Sequence, residues 1–164
     1  MRALTRDQVL GSFVNATDAE QDRLVLPWWI DATLWDSLDY LGWADPADAR
    51  RSYLVADTSF GLIGIVLRLP TGGPGQRRTL CNLCCTQHRR QGALLMVARR
   101  SGRAGRNHNT VGTTICADLA CSLYVRGLRR SDGGGALPET LDPGGRVARL
   151  QRNLEDFLGR VLVD

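Results

Sequence analysis

The chain contains no lysine, only two histidines and two methionines, and few aromatics, at 6%. Without lysine there is neither a Schiff-base amine nor a phosphate-gripping Walker lysine. None of the patterns G-x-S-x-G, H-E-x-x-H or G-x-G-x-x-G occurs, so the sequence reads as a non-enzyme with no implied small-molecule substrate. No apolar run approaches the roughly 20 residues that span a bilayer. Met1 to Asp7 passes straight into polar, helix-like sequence with no signal-peptide core, which predicts a cytoplasmic protein with no membrane partner. What remains is 164 residues, 43% hydrophobic and 23% charged, the composition of a globular domain. A chain of this length buries roughly 70% of its unfolded surface, enough for one real core that a metal could complete.

The 21 basic residues are all arginine, and they are unevenly placed. Between Arg77 and Arg130 there are 11 arginines against one acid, Asp118, whereas the other 110 residues carry 10 arginines and 16 acids. A net +4 therefore conceals a strongly basic middle, and such a bias predicts an anionic partner.

The pattern along the chain is that of an α+β fold. Thr5-x-x-Gln8 and Thr17-x-x-Glu20 match the capping box, in which side chains reciprocally satisfy free backbone N–H groups, and predict two short helices or one broken helix up to about Leu26. Val9, Leu10, Phe13 and Val14 supply its apolar stripe, and Pro27 stops it. All four tryptophans lie between Trp28 and Trp43, where core packing is the expected role, and Leu34, Leu38 and Leu41 are spaced for a short helix closed by Gly42. Ser52–Asp57 and Gly61–Arg68 read as a hairpin, and Ala93–Ala98 with Thr110–Ile115 as a second, joined by the Gly/Arg/Asn-rich stretch Ser101–Asn109. A helix is expected from about Ala117 to Arg126, ended by Gly127. Pro70–Gly75 is read as a surface loop and Ser131–Gly135 as a break. Asp142-Pro143 then opens the clearest element, a helix whose Val147, Leu150, Leu154, Phe157, Leu158 and Val161 form one apolar face to dock on a sheet. The expected organisation is one zinc-binding unit over 1–164: a helical part at 1–45, sheet and zinc finger at 50–130, and a C-terminal amphipathic helix at 140–164.

The five cysteines form two groups, Cys81-x2-Cys84-Cys85 and Cys116-x4-Cys121. In a reducing compartment such pairs read as a tetrahedral zinc site rather than disulfides. The 31 residues between Cys84 and Cys116 are too many for a compact zinc ribbon but accommodate a hairpin, giving the order knuckle, hairpin, helix of a treble clef. Cys81, Cys84, Cys116 and Cys121 are the expected ligands, with Cys116 at a helix start whose free N–H groups favour the thiolate. Cys85 and His88 stand close enough in sequence to replace Cys121, which would lie a turn and a half into that helix. A site of four thiolates has no open position, so Zn2+ would be structural. Its charge of roughly −2 would be offset by the flanking arginines, including Arg77 and Arg78. His88, beside Arg89 and Arg90, reads as a surface residue rather than a general base.

Cys81-x2-Cys84-x3-His88, the segment from Asn109 through Gly112, Cys116, Cys121 and Tyr124 to Gly127, and the strings Ser12-Phe13-Val14-Asn15 and Leu38-Asp39-Tyr40-Leu41-Gly42-Trp43 carry a resemblance. Along about Leu4 to Leu162 the chain resembles actinobacterial members of the elongation factor G-binding, FusB-type family. The resemblance implies a treble-clef zinc domain that docks on elongation factor G and, in fusidic-acid-resistance members, helps free that factor from a stalled ribosome, without catalysis. It further implies Cys81, Cys84, Cys116 and Cys121 as the zinc ligands and the surface near Arg99–Asn109 as a docking face. The sequence differs from the resistance proteins in having about 50 residues before its first strand in place of a separate helical bundle.

Two readings of the basic surface follow. In one, Arg89, Arg90, Arg99, Arg100, Arg103, Arg106, Asn107, Asn109, Arg126, Arg129 and Arg130 grip an acidic protein surface through bidentate carboxylate pairs. In the other, the same residues neutralise phosphates of ribosomal RNA. Dedicated single-strand binders interleave aromatics for stacking, and between Arg77 and Arg130 the only one besides histidine is Tyr124, which favours a protein surface or RNA contact through the backbone alone.

Overall fold

The computed structural model describes residues 1–70, 79–131 and 139–163. The expected loop at Pro70–Gly75, the break at Ser131–Gly135, and Arg77 and Arg78 therefore fall wholly or mostly outside the described residues.

Both capping boxes form. Thr5 opens α1 (Arg6–Leu10) and Thr17 opens α2 (Asp18–Gln21), each accepting from its N3 backbone N–H while the N3 side chain returns the bond. Two single-turn 3₁₀ helices, Ile30–Ala32 and Trp35–Ser37, follow. The remaining elements are β1 (Leu41–Ala44), β2 (Arg51–Thr58), β3 (Gly61–Arg68), β4 (Thr79–Leu80), β5 (Gln87–His88), β6 (Ala93–Arg99), α3 (Gly102–Arg106), β7 (Thr110–Cys116), α4 (Cys121–Val125) and α5 (Pro143–Leu162). The main sheet is antiparallel in the order β1-β2-β3-β6-β7, and β4 pairs with β5 in a separate ribbon.

Both faces of the sheet are covered. Because side chains alternate across a strand, Leu54, Ala56, Ile63, Ile65 and Leu67 join one core with α5 and the four clustered cysteines, while Tyr53, Val55 and Val66 join a second with Val9, Phe13 and Ile30. On the first face α5 buries Leu150, Leu154, Phe157, Leu158 and Val161, as its periodicity requires. On the second, Trp43 is buried at 3.0 Å from the Val25 carbonyl through its indole N–H, Trp29 and Trp35 pack alongside, and Trp28 stands exposed.

Three local expectations change. The stretch Leu34–Leu41 is a 3₁₀ turn leading into β1, not a helix closed by Gly42. Pairing of Leu41 with Val55 and Trp43 with Tyr53 sends Leu41 and Trp43 into the second core, and this gain outweighs the helical spacing of the three leucines. Within the connection Ser101–Asn109 lies the short helix α3, whose buried Gly105 packs so close to Arg100 that a Cβ there would stand 1.9 Å from its carbonyl oxygen. The helix expected from Ala117 starts only at Cys121. Leu119, with φ 55°, breaks the helical path, and the Asp118 carboxylate accepts the Ala120 N–H to make a turn instead.

Candidate metal centre

Four cysteines meet where the ends of three elements converge. Cys81 and Cys84 come from the knuckle joining β4 to β5, Cys116 is the last residue of β7, and Cys121 is the first of α4. This corrects the placement of Cys116 at a helix start: it ends a strand, and the helix opens on Cys121. The late start of α4 brings Cys121 into the cluster, removing the distance objection that spacing raised. Two non-glycine residues with left-handed backbone flank these ligand loops, Cys85 (φ 59°) and Leu119 (φ 55°). Each such bend costs about 1–2 kcal/mol.

The four sulfurs lie within 4.8 Å of one another, all buried. Cys81 Sγ is 3.6 Å from Cys121 Sγ, and Cys84 Sγ is 3.5 Å from Cys116 Sγ. A zinc tetrathiolate with Zn–S of about 2.3 Å has edges of roughly 3.8 Å, so the spacing fits that ion. Hydrogen bonding to Cys116, Cys121 and Cys84 pulls the Cys81 thiol far down, the neighbouring sulfurs push Cys116 up, and burial pushes Cys121 up. Four thiolates at this spacing repel one another, and a divalent cation at their centre supplies the opposite charge.

The surrounding chain holds the knuckle in place. Asn82 N–H donates to the Thr114 carbonyl at 2.8 Å, and the Asn153 amide of α5 donates to the carbonyls of Asn82 and Leu83 at 3.1 and 2.9 Å. Cys85 is half-buried, with burial raising its thiol, and is not in the cluster. Nor is His88, but it is 2% exposed rather than on the surface, its Nε2 3.2 Å from Cys116 Sγ and its ring edge-on to Tyr124 at 5.1 Å. The motif Cys84-x3-His88 held the signal for this contact, because β5 returns residue 88 to the cluster.

The candidate arginines divide into two groups. Ala93 pairs with Cys116 at one end of the β6–β7 hairpin and Arg99 with Thr110 at the other, a separation of roughly 20 Å at about 3.3 Å per residue. At the metal end, Arg89, Arg90 and Arg130 are exposed, Arg129 lies 3.4 Å from Asp118 and 6.0 Å over the Tyr124 ring, and Arg126 is committed to buried Asp39. At the far end, Arg99 lies 4.0 Å from Glu20, and Arg100 donates to the Arg160 carbonyl at 2.9 Å near the C-terminus of α5. Arg103, Arg106, Asn107 and Asn109 are exposed on and after α3. The Arg100 N–H to Asn109 carbonyl bond and the Asn109 N–H to Ala104 carbonyl bond, 2.9 and 3.0 Å, fix that tip. Acids far away in sequence, Asp39 and Glu20, were invisible to a charge count over residues 77–130.

Among the described residues no helix is long and apolar enough to cross a membrane. The family model for the FBP C-terminal treble-clef zinc-finger matches residues 8–161, nearly the whole chain. Neither a curated protein nor a solved structure matches.

Proposed function

The chain belongs to the FBP C-terminal treble-clef zinc-finger family, and on that premise we propose that it is a non-catalytic cytoplasmic adaptor that binds elongation factor G and promotes its release from the ribosome. Cys81, Cys84, Cys116 and Cys121 are its zinc ligands, and residues 1–164 act as one unit. The observation carrying this reading is the closed set of four buried cysteines at the foot of the β6–β7 hairpin. Four thiolates complete the coordination of zinc and leave no position for a water or substrate, so the metal shapes a surface rather than performing chemistry.

The docking surface lies at the tip of the same hairpin, at the end away from the cysteines. Arg103 and Arg106 project from a pinned turn and pair with no acid among the described contacts, whereas Arg126 and Arg129 already face carboxylates. Such a preorganised cationic tip suits an acidic protein surface, because guanidinium groups form bidentate pairs with carboxylates.

The test is capture of purified elongation factor G and, separately, of ribosomes at low and high salt, using the wild-type chain and an Arg103→Glu/Arg106→Glu double variant of equal zinc content. Stoichiometric capture of the factor by wild type, weakened in the variant, supports the reading. Capture of ribosomes alone, lost as salt neutralises phosphate contacts, overturns it in favour of ribosomal RNA.

A further inference from the structure

Three sulfurs of the cluster each have a hydrogen-bonding group beside them. The Cys84 N–H lies 3.5 Å from Cys81 Sγ, Thr86 Oγ1 3.1 Å from Cys84 Sγ, and His88 Nε2 3.2 Å from Cys116 Sγ. As a thiol Cys84 Sγ donates to Thr86 Oγ1, but a cation-bound thiolate can only accept, and the Thr86 hydroxyl and the Nε2–H tautomer of His88 then become donors that draw charge off the sulfur. For Cys121 the described contact is another sulfur, that of Cys81.

Tyr40 is packed in the core that holds this fourth sulfur. It is 1% exposed and belongs to the core that contains all four cysteines, and among the described residues its hydroxyl is a buried polar side-chain atom without a hydrogen-bond partner. Its neighbours lock it there. The Asp39 N–H donates to Ser122 Oγ at 2.9 Å, and a Cβ added to Gly42 would stand 2.7 Å from Leu119 Cβ and 2.9 Å from Tyr40 Cε2. Residues 39–42 are thus laid across residues 119–122, with Tyr40 in the core on the metal side and Leu41, the first residue of β1, in the other.

We propose that Tyr40 is a positioning residue of the metal centre: its hydroxyl donates to the Cys121 thiolate in the zinc-loaded protein, completing a set of one hydrogen bond per sulfur. The proposal rests on the zinc reading above. It gives the orphaned hydroxyl its acceptor and ties the N-terminal segment to the metal through a polar contact rather than through packing alone.

Tyr40→Phe in the full chain removes the hydroxyl and keeps the ring. Zinc release to a chromogenic chelator should quicken about 10-fold or more. In the cobalt-substituted protein the sulfur-to-metal charge-transfer band should move to lower energy, since a thiolate that loses a donor holds its electrons less tightly. Tyr53→Phe is the control, because the Tyr53 hydroxyl meets Asp45 in the other core and its loss should leave the band in place. An unchanged release rate and band in Tyr40→Phe would overturn the proposal. A measurement on wild type avoids dependence on the variant's folding: in the cadmium-substituted chain the Tyr40 hydroxyl proton should couple to the metal nucleus through Cys121, and absence of that coupling also overturns it. A wild-type cobalt spectrum without tetrathiolate bands would instead bring down the zinc reading itself, so the two failures are distinguishable.

Discussion

Arg126 and Asp39, 87 residues apart in sequence, form a two-pronged ion pair in which both terminal guanidinium nitrogens donate to the two carboxylate oxygens. Asp39 has 1% of its side chain exposed and also accepts from the Gln151 amide at 3.0 Å. One carboxylate therefore joins the segment before β1, helix α4 beside the metal, and α5. Removing Asp39 leaves the half-buried Arg126 guanidinium uncompensated. Asp39→Asn should cost about 3 kcal/mol, read as a fall in the urea midpoint, while Arg130→Ala on the exposed surface should cost less than about 0.5 kcal/mol.

Asn15 acts as a piece of strand. Its amide accepts from Val66 N–H at 2.7 Å and donates to the carbonyls of Val66 and Arg99 at 3.1 and 2.9 Å, where β3 and β6 pair over only two residues. Asn15→Ala leaves three backbone groups to find new partners, so we expect a loss of about 3 kcal/mol or more in equilibrium unfolding, at about 1–3 kcal/mol for each group left buried.

Zinc removal should act on the fold. Cys116→Ser and Cys121→Ser should each lower bound zinc below stoichiometric and reduce thermal stability, whereas Cys85→Ser should retain metal. A chelator should lower the melting temperature of wild type by a similar amount, because binding free energy is folding free energy at such a site. Equal melting with and without chelator would contradict a structural metal.

Acid sensitivity has an identifiable contribution from Glu20. Burial alone would raise its carboxyl, but hydrogen bonds from the Thr17 backbone, Arg68 and the Thr17 hydroxyl outweigh that and hold it at about 2, below its ordinary 4.5. A depressed carboxylate contributes stability that is whole above the unfolded value and lost as pH falls through the folded one. The difference in unfolding free energy between wild type and Glu20→Gln should therefore be constant above about pH 5 and shrink to nothing towards pH 2. A difference that grows on acidification would refute the assignment.

Much of this protein is settled locally. The capping boxes at Thr5 and Thr17 and the Asp142-Pro143 start of α5 depend on side chains three residues apart reaching free N–H groups, and all three form as the sequence predicts. The hairpins β2–β3 and β6–β7 follow from β-branched runs, and the four cysteines from their spacing. Tertiary structure decided the rest. Leu41 and Trp43 lie in a strand because β2 offers them a register and a core, and Cys121 joins the cluster because a left-handed Leu119 delays α4. His88 is buried because β5 folds back on the knuckle, and Arg126 turns inward because Asp39 waits 87 residues away. These outcomes share one physical reason: periodicity and capping act within a turn or two of chain, whereas strand pairing, burial and charge pairing depend on which distant segments the fold brings into contact.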